Sequence, residues 1–233
     1  MLPRPTRKRP ARFAQTRYIA PHPSTLCHSD THTHMALNIL AITASGRTGS
    51  VSNQLVADLV AKLQAAPGGA TLMQHDVVAQ PLPPVNDAWI SGAYTPVEAR
   101  SAEQVAALKT SNELVAELLA ADVLVLGVPL YNFGIPAALK GWIDQIVRVG
   151  VTFAYGADGQ PKGLLPAGKK AYLALASGGV PAGSGYDLAT SYLKLVLGFI
   201  GITDVTVVAA DQLVTLGAGQ VEKAKAQIAA LPA

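Results

Sequence analysis

The stretch Val123-Leu124-Val125-Leu126-Gly127-Val128-Pro129-Leu130-Tyr131-Asn132-Phe133-Gly134-Ile135-Pro136 decides how the rest of the chain is read. Its first six residues form a continuous apolar run, the pattern of a strand buried on both faces of a parallel sheet. After Pro136 the spacing changes: Leu139, Ile143 and Ile146 fall on one face of a helix expected to run to about residue 148. Residues 129–136 therefore form the turn at the carboxyl end of a central strand, where open α/β sheets take their ligands. Tyr131, Asn132 and Phe133 lie in that turn, outside both hydrophobic patterns. Two aromatic rings can flank a flat ring system, and an asparagine both donates and accepts hydrogen bonds. On spacing alone, a loop whose aromatics only cover the end of the sheet fits equally well.

Outward from this unit the chain alternates strand and helix. Strands are expected at 37–43, 70–77, 122–128, 170–176 and 204–210, and helices at 50–65, 96–120, 137–148, 188–197 and 220–231. Val51, Leu55, Leu59 and Leu63 line the first helix, which Pro67-Gly68-Gly69 ends. Val221, Ala224, Ile228 and Leu231 line the last one. Residues 80–84 read as a Pro-rich loop, followed by a polar stretch with Trp89 and Tyr94. Residues 151–155, with a turn at Asp158-Gly159, read as a hairpin-like excursion, and 177–185 as a Gly-rich loop. Five strands with intervening helices imply one α/β domain: a doubly wound parallel sheet with helices on both faces. No internal repeat or second domain is visible.

Composition narrows the class. The chain has 233 residues, half of them hydrophobic and 14% charged, so a large core is available. No apolar run reaches the roughly 18 residues of a membrane span. The longest, 193–202, is broken by Gly198 and Gly201. The net charge of +3 comes from the amino-terminal segment. Residues 1–34 hold six of the 18 basic residues and one of the 15 acidic ones, which makes them +5 and leaves −2 for the remainder. Nothing in that balance points to nucleic acid.

Residues 1–34 are rich in Pro, Arg and His and lack apolar periodicity, so disorder is expected there. They contain no apolar core of a signal peptide. A targeting or phosphate-binding arm has no motif behind it. Met35, which opens directly into the first strand, is the expected natural start, and residues 35–233 the expected domain. The only cysteine, Cys27, falls in this segment, so a disulfide framework is impossible and a cytoplasmic setting is expected. The run Cys27-His28-Ser29-Asp30-Thr31-His32-Thr33-His34 has metal-ligand residue types, but its irregular spacing suits an adventitious site.

Parallel strands place their following loops on one edge. Three of those loops carry unusual residues. Ser45-Gly46-Arg47-Thr48-Gly49-Ser50-Val51-Ser52 is rich in hydroxyls and opens a helix, so it can hold a terminal phosphate. Capping of the helix by Ser50 or Ser52 is the ordinary alternative, and both can hold together. The second loop is 130–134; the third is Ser177-Gly178-Gly179, where glycines let a ligand approach backbone closely. No G-x-G-x-x-G follows the first strand, so the usual dinucleotide fingerprint is absent. Gly163-Leu164-Leu165-Pro166-Ala167-Gly168-Lys169-Lys170 mimics a P-loop, but it precedes a strand and lacks the following Ser or Thr. Beyond residue 34 there is no cysteine and one histidine, His75, expected to be structural. With no catalytic set of side chains and no metal-ligand pairs, the chemistry falls to a bound cofactor.

Five segments together resemble one family: 129–135, Leu139-Lys140-Gly141-Trp142-Ile143-Asp144, Gly150-Val151-Thr152-Phe153, Gly163-Leu164, and Leu197-Gly198-Phe199-Ile200-Gly201-Ile202-Thr203-Asp204. The chain is similar, from about Met35 onward, to the FMN-dependent NADH-azoreductases, which are flavodoxin-like dimeric reductases of quinones and azo dyes. The resemblance implies that Ser45, Ser50, Val51 and Ser52 hold the FMN phosphate. It implies that Leu130, Tyr131, Asn132 and Phe133 contact the ribityl chain and isoalloxazine, with Ala176, Ser177, Gly178 and Gly179 on the ring's other polar edge. Tyr155 and Phe199 resemble the aromatics that reach over the flavin of the partner subunit in a homodimer. Two departures stand out: the 45–52 loop is one residue shorter than the family's usual one, and Pro181 and Ala182 replace larger or polar residues near the nicotinamide.

The implied reaction is ping-pong transfer of two electrons as hydride, from NADH or NADPH to FMN and then to a quinone or azo compound. The rival reading is a flavodoxin-type electron carrier without its own substrate site. Such carriers are strongly acidic, unlike the −2 found here. A second rival is a flavodoxin-like binding protein that has lost FMN, against which the loop hydroxyls and Asn132 argue.

Overall fold

The computed structural model describes residues 36–232. The expected disorder of 1–34 and the metal-like run at 27–34 lie outside the described residues. Five strands form one parallel sheet: β1 (Leu37–Thr43), β2 (Ala70–Asp76), β3 (Val123–Pro129), β6 (Lys170–Ala176) and β7 (Asp204–Ala210), in the order β2-β1-β3-β6-β7. Between β3 and β6 in sequence, β4 (Phe153–Tyr155) and β5 (Pro161–Gly163) pair antiparallel as a separate hairpin. The doubly wound sheet expected from the sequence is therefore present, with strand boundaries within a residue or so.

β3 is the centre of the domain. All seven of its residues are buried. Alternation of side chains across the sheet divides the core in two. Leu124, Leu126 and Val128 face α4 (Lys109–Ala120), α5 (Ala137–Ile146) and α6 (Leu188–Ile200). Val123 and Val125 face α1 (Val51–Gln64) and α8 (Gly219–Ala230). Gly127 sits where α1 crosses: a Cβ there would lie 3.2 Å from Val56 Cγ2. No helix among the described residues is long and apolar enough to cross a membrane.

Four helical details depart from the sequence reading. The expected helix at 96–120 is broken into a 3-10 turn (Val97–Ala99), α3 (Ala102–Ala107) and α4. The break before α3 is a capping box: Ser101 Oγ accepts from the Gln104 N–H while Gln104 Oε1 accepts from the Ser101 N–H. The stretch around Trp89 is a helix, α2 (Asp87–Tyr94), capped by Asn86. A one-turn helix, α7 (Leu213–Leu216), follows β7. α6 also continues one turn beyond the expected end, to a left-handed cap at Gly201 with φ of 111°.

The α2–α3 excursion is tied to the main domain through a buried polar group. Trp89 Nε1 donates to Gln145 Oε1 at 2.9 Å, and Gln145 Nε2 donates to the Pro83 carbonyl at 2.8 Å. The buried Arg148 guanidinium lies 5.4 Å from the Trp89 ring centroid and donates to Ser111 Oγ and Asn112 Oδ1. Its partners are hydroxyl, amide and aromatic face, without a carboxylate. Burial, with a smaller push from the Arg100 charge, pulls its pKa down to about 10. His75 meets Glu117 of α4 at 2.6 Å, consistent with a structural role.

The hairpin is held against the end of α6 by backbone contact. Leu165 N–H donates to the Ile200 carbonyl at 3.1 Å, and Leu164 N–H to the Thr152 carbonyl at 2.9 Å. A Cβ on Gly163 would lie 2.4 Å from Gly201 N and Ile200 C, so only glycine fits. The segments Gly163-Leu164 and 197–204, far apart in sequence, are thus two sides of one close crossing. Gly163→Ala is expected to lower stability by about 1–3 kcal/mol, the usual range for overpacking. Urea denaturation checks this; an unchanged midpoint would show that the crossing is loose.

Candidate active site

The strand order reverses between β1 and β3: the chain moves from β1 outward to β2, then returns to the other side of β1. The loops that follow β1 and β3 consequently diverge, leaving a crevice at the carboxyl edge of the sheet. The sequence-selected residues of all three loops lie on this edge.

The loop after β1 ends in a helix cap. Ser50 Oγ accepts from the Asn53 N–H and lies 3.1 Å from Ser52 Oγ. Val51 and Ser52 begin the helix, so their N–H groups have no intrahelical acceptor. The capping alternative is what the geometry shows, and it leaves the Val51 and Ser52 N–H groups without an intrahelical partner. Ser45 is buried, and its Oγ lies 3.1 Å from the Tyr131 hydroxyl. That bond bridges the crevice from the β1 loop to the β3 loop. Asn53 was not singled out from the sequence. Its Nδ2 donates to the Ser45 carbonyl at 3.1 Å, and its Oδ1 is buried without a partner. Its position directly after Ser-x-Ser was the available signal.

The loop after β3 is a two-residue reversal. Tyr131 and Gly134 exchange two backbone hydrogen bonds of 3.0 Å. Asn132 has φ of 48° and Phe133 φ of 69°. Positive φ at both central positions is what a type I′ turn requires, but glycine normally fills at least one of them. Asparagine tolerates the left-handed region; a phenylalanine there is strained by about 1–2 kcal/mol. The turn is held by the Leu188 N–H donating to the Phe133 carbonyl at 3.1 Å and by Leu130 N–H donating to the Ala176 carbonyl at 2.8 Å. Tyr131 is 40% exposed and Phe133 is 50% exposed, so the strain presents two rings to solvent.

The third loop leaves β6 at Ala176 and Ser177. Ser177 is buried: its Oγ donates to the Val180 carbonyl and accepts from the Gln212 N–H at 3.1 Å. Gly178 and Gly179 are exposed beyond it. A Cβ on Gly179 would meet nothing within 4 Å, so at that position packing does not demand glycine. The rest of the loop is pinned by carboxylates. Asp211 Oδ2 accepts from the Ala182 N–H, and the buried Asp187 accepts from the N–H groups of Gly183 and Thr190. Asp187, the cap of α6, is readable in the sequence as a polar residue directly before an apolar helix.

Three helices, α1, α5 and α6, begin at this edge; α1 and α5 have no acidic residue at the cap or in the first turn, whereas the Asp187 carboxylate already caps α6. The peptide dipoles of α1 and α5 favour negative charge at their starts. Tyr155 and Phe199 are elsewhere. Both rings pack on Phe153, at 5.7 and 4.6 Å between centroids. Phe199 lies eleven residues along α6 from Leu188, about 16 Å at the helical rise. They therefore do not join the three loops of their own chain.

With this geometry established, similarity to known proteins is informative. A family profile described as a flavodoxin-like fold matches residues 37–231. The FMN-dependent NADH:quinone oxidoreductase 1 of Jannaschia sp. (strain CCS1) is 50% identical over 197 residues, which cover 84% of this chain and 99% of that protein. The protein of the same name from Rhizobium etli is 46% identical over 191 residues, 80% of this chain and 92% of its own. Among solved structures, an azoreductase from Bacillus anthracis superposes with a TM-score of 0.76 at 27% identity, covering 83% of this chain and 97% of that one. The chain belongs to the flavodoxin-like family of FMN-dependent NADH:quinone oxidoreductases and azoreductases.

Proposed function

We propose that this protein uses FMN to pass electrons from NADH to quinones and azo compounds in two half-reactions at one site. The observation that carries this reading is the Ser45–Tyr131 bridge. It joins a hydroxyl-lined helix start to a strained aromatic turn in one crevice.

The residues fit FMN. Ser50 and Ser52 hydroxyls and the orphan N–H groups of Val51 and Ser52 would hold the phosphate, with α1's dipole in support. Leu130, Tyr131, Asn132 and Phe133 would hold the ribityl chain and the ring system, with Asn132 exposed for hydrogen bonding. Ala176, Ser177, Gly178 and Gly179 would line the opposite polar edge. Ser45, which the resemblance sets beside the phosphate, has its hydroxyl on that of Tyr131 and would orient the tyrosine as well. When bound, FMN supplies the hydride chemistry linking donor and acceptor. The converging helix starts would stabilise the negative charge that develops as electrons arrive.

Nicotinamide and acceptor take turns against the same aromatic wall. Parallel double-reciprocal plots of NADH against quinone are the expected result, and intersecting plots would show a ternary complex and contradict it.

The site is completed by a second copy of the chain. Tyr192, Leu195, Val196 and Phe199 of α6 lie with Ile143 and Asp144 of α5 and with Val147 just after it around a mainly apolar groove, and Leu195 is 72% exposed. Pairing across this face would carry Tyr155 and Phe199 to the crevice of the partner, which their own crevice cannot receive. The cytoplasm, where NADH is regenerated, is the proposed setting.

Phe133→Gly separates fold from function. Glycine accepts positive φ without strain, so stability should stay within about 1 kcal/mol of the parent. FMN affinity should fall at least fivefold with the loss of the ring. Thermal unfolding without ligand and fluorescence titration with FMN measure the two effects. Unchanged affinity would remove Phe133 from the flavin site.

A further inference from the structure

We propose that Tyr186 is a specificity-determining residue, selecting acceptors with a second fused or linked aromatic ring over single-ring quinones; this rests on the quinone reductase reading above. The Tyr186 ring is 70% exposed, and its one ring neighbour among the described residues is Phe133, at 5.8 Å between centroids and a 41° tilt. A lone exposed tyrosine on a mobile loop would mean little. This one is fixed on both sides. Asp187 behind it is buried, caps α6 and accepts from the N–H groups of Thr190 and Gly183. Its own N–H donates to the Ser184 carbonyl at 3.0 Å. Across the gap, the Leu188 N–H donates to the Phe133 carbonyl at 3.1 Å, locking the third loop to the aromatic turn.

A hydrogen bond joins Ser45 of the first loop to Tyr131 of the second, and a ring pair joins Phe133 of the second loop to Tyr186 of the third. Ser45, Tyr131 and Phe133 belong to the proposed cofactor site, and Tyr186 adds a further ring 5.8 Å from that of Phe133. A ligand with a second ring beside Phe133 would have Tyr186 as a partner for that ring. Aromatic pairs of this kind are worth enough to change affinity about three- to tenfold. Leu188, 56% exposed beside it, adds apolar surface of the same kind.

The experiment compares the FMN-loaded parent with Tyr186→Ala and Tyr186→Phe. Two fully substituted acceptors, tetramethyl-1,4-benzoquinone and 2,3-dimethyl-1,4-naphthoquinone, avoid alkylation of the protein. Stopped-flow reoxidation of the NADH-reduced protein gives a rate constant for each. Calorimetric titration of the oxidised protein with the naphthoquinone gives its affinity without turnover. Tyr186→Ala should lower the ratio of naphthoquinone to benzoquinone rate constants about three- to tenfold and weaken naphthoquinone binding by a similar factor. Tyr186→Phe should retain both. An equal fall with both quinones, or a matching loss of FMN affinity, would make Tyr186 only a support for Phe133 and overturn the proposal. Unchanged values in Tyr186→Ala would also overturn it. Failure of the parent itself to be reoxidised by either quinone would instead refute the quinone reductase reading.

Discussion

Burial of β3 on both faces is the constraint from which the rest follows. A strand without a polar face must be covered by helices above and below, and parallel neighbours on either side require crossovers. Those crossovers place every following loop, and every following helix start, on one edge. The reversal of order between β1 and β3 then opens that edge at one point. The crevice, the convergence of α1, α5 and α6 and the meeting of three loops are consequences of one buried strand of seven residues.

Inside the crevice, stability and function pull apart. The domain could have closed the β3–α5 connection with glycines at φ > 0. It places Asn132 and Phe133 there, so strain is retained and two rings stand in solvent. The compensation is local: paired backbone bonds between Tyr131 and Gly134, the bond from Leu188 and the bridge from Ser45. At the opposite end of α6, Gly163 and Gly201 do the reverse, giving up side chains so that the hairpin can touch the helix. One arrangement turns aromatic rings toward the chain's own crevice, and the other packs Tyr155 and Phe199 around Phe153 away from it.

The parts legible in sequence were those with long, clean periodicity. The five strands, α1, α5 and α8 follow from apolar spacing, and the hydroxyl loop, the Tyr-Asn-Phe turn and the Ser-Gly-Gly loop follow from their positions after strands. Shorter features were hidden by stronger patterns. The capping box at Ser101 and Gln104 was present in the letters, but the apolar residues on either side read as one helix from 96 to 120. Eight residues of α2 carry too few turns for a period to emerge, and their stability comes from Trp89 reaching Gln145, a contact between residues 56 positions apart. Tyr186 lacked any local signal, because its meaning lies in the neighbouring ring of Phe133, supplied by another loop.

The central claim is that this crevice binds FMN and lets NADH and a quinone use it in turn. An anaerobic absorbance titration tests it most directly. The account predicts that the FMN-loaded protein loses its flavin absorbance on stoichiometric NADH and regains it on benzoquinone. Failure to take up FMN, or bound FMN that NADH leaves oxidised, would contradict it.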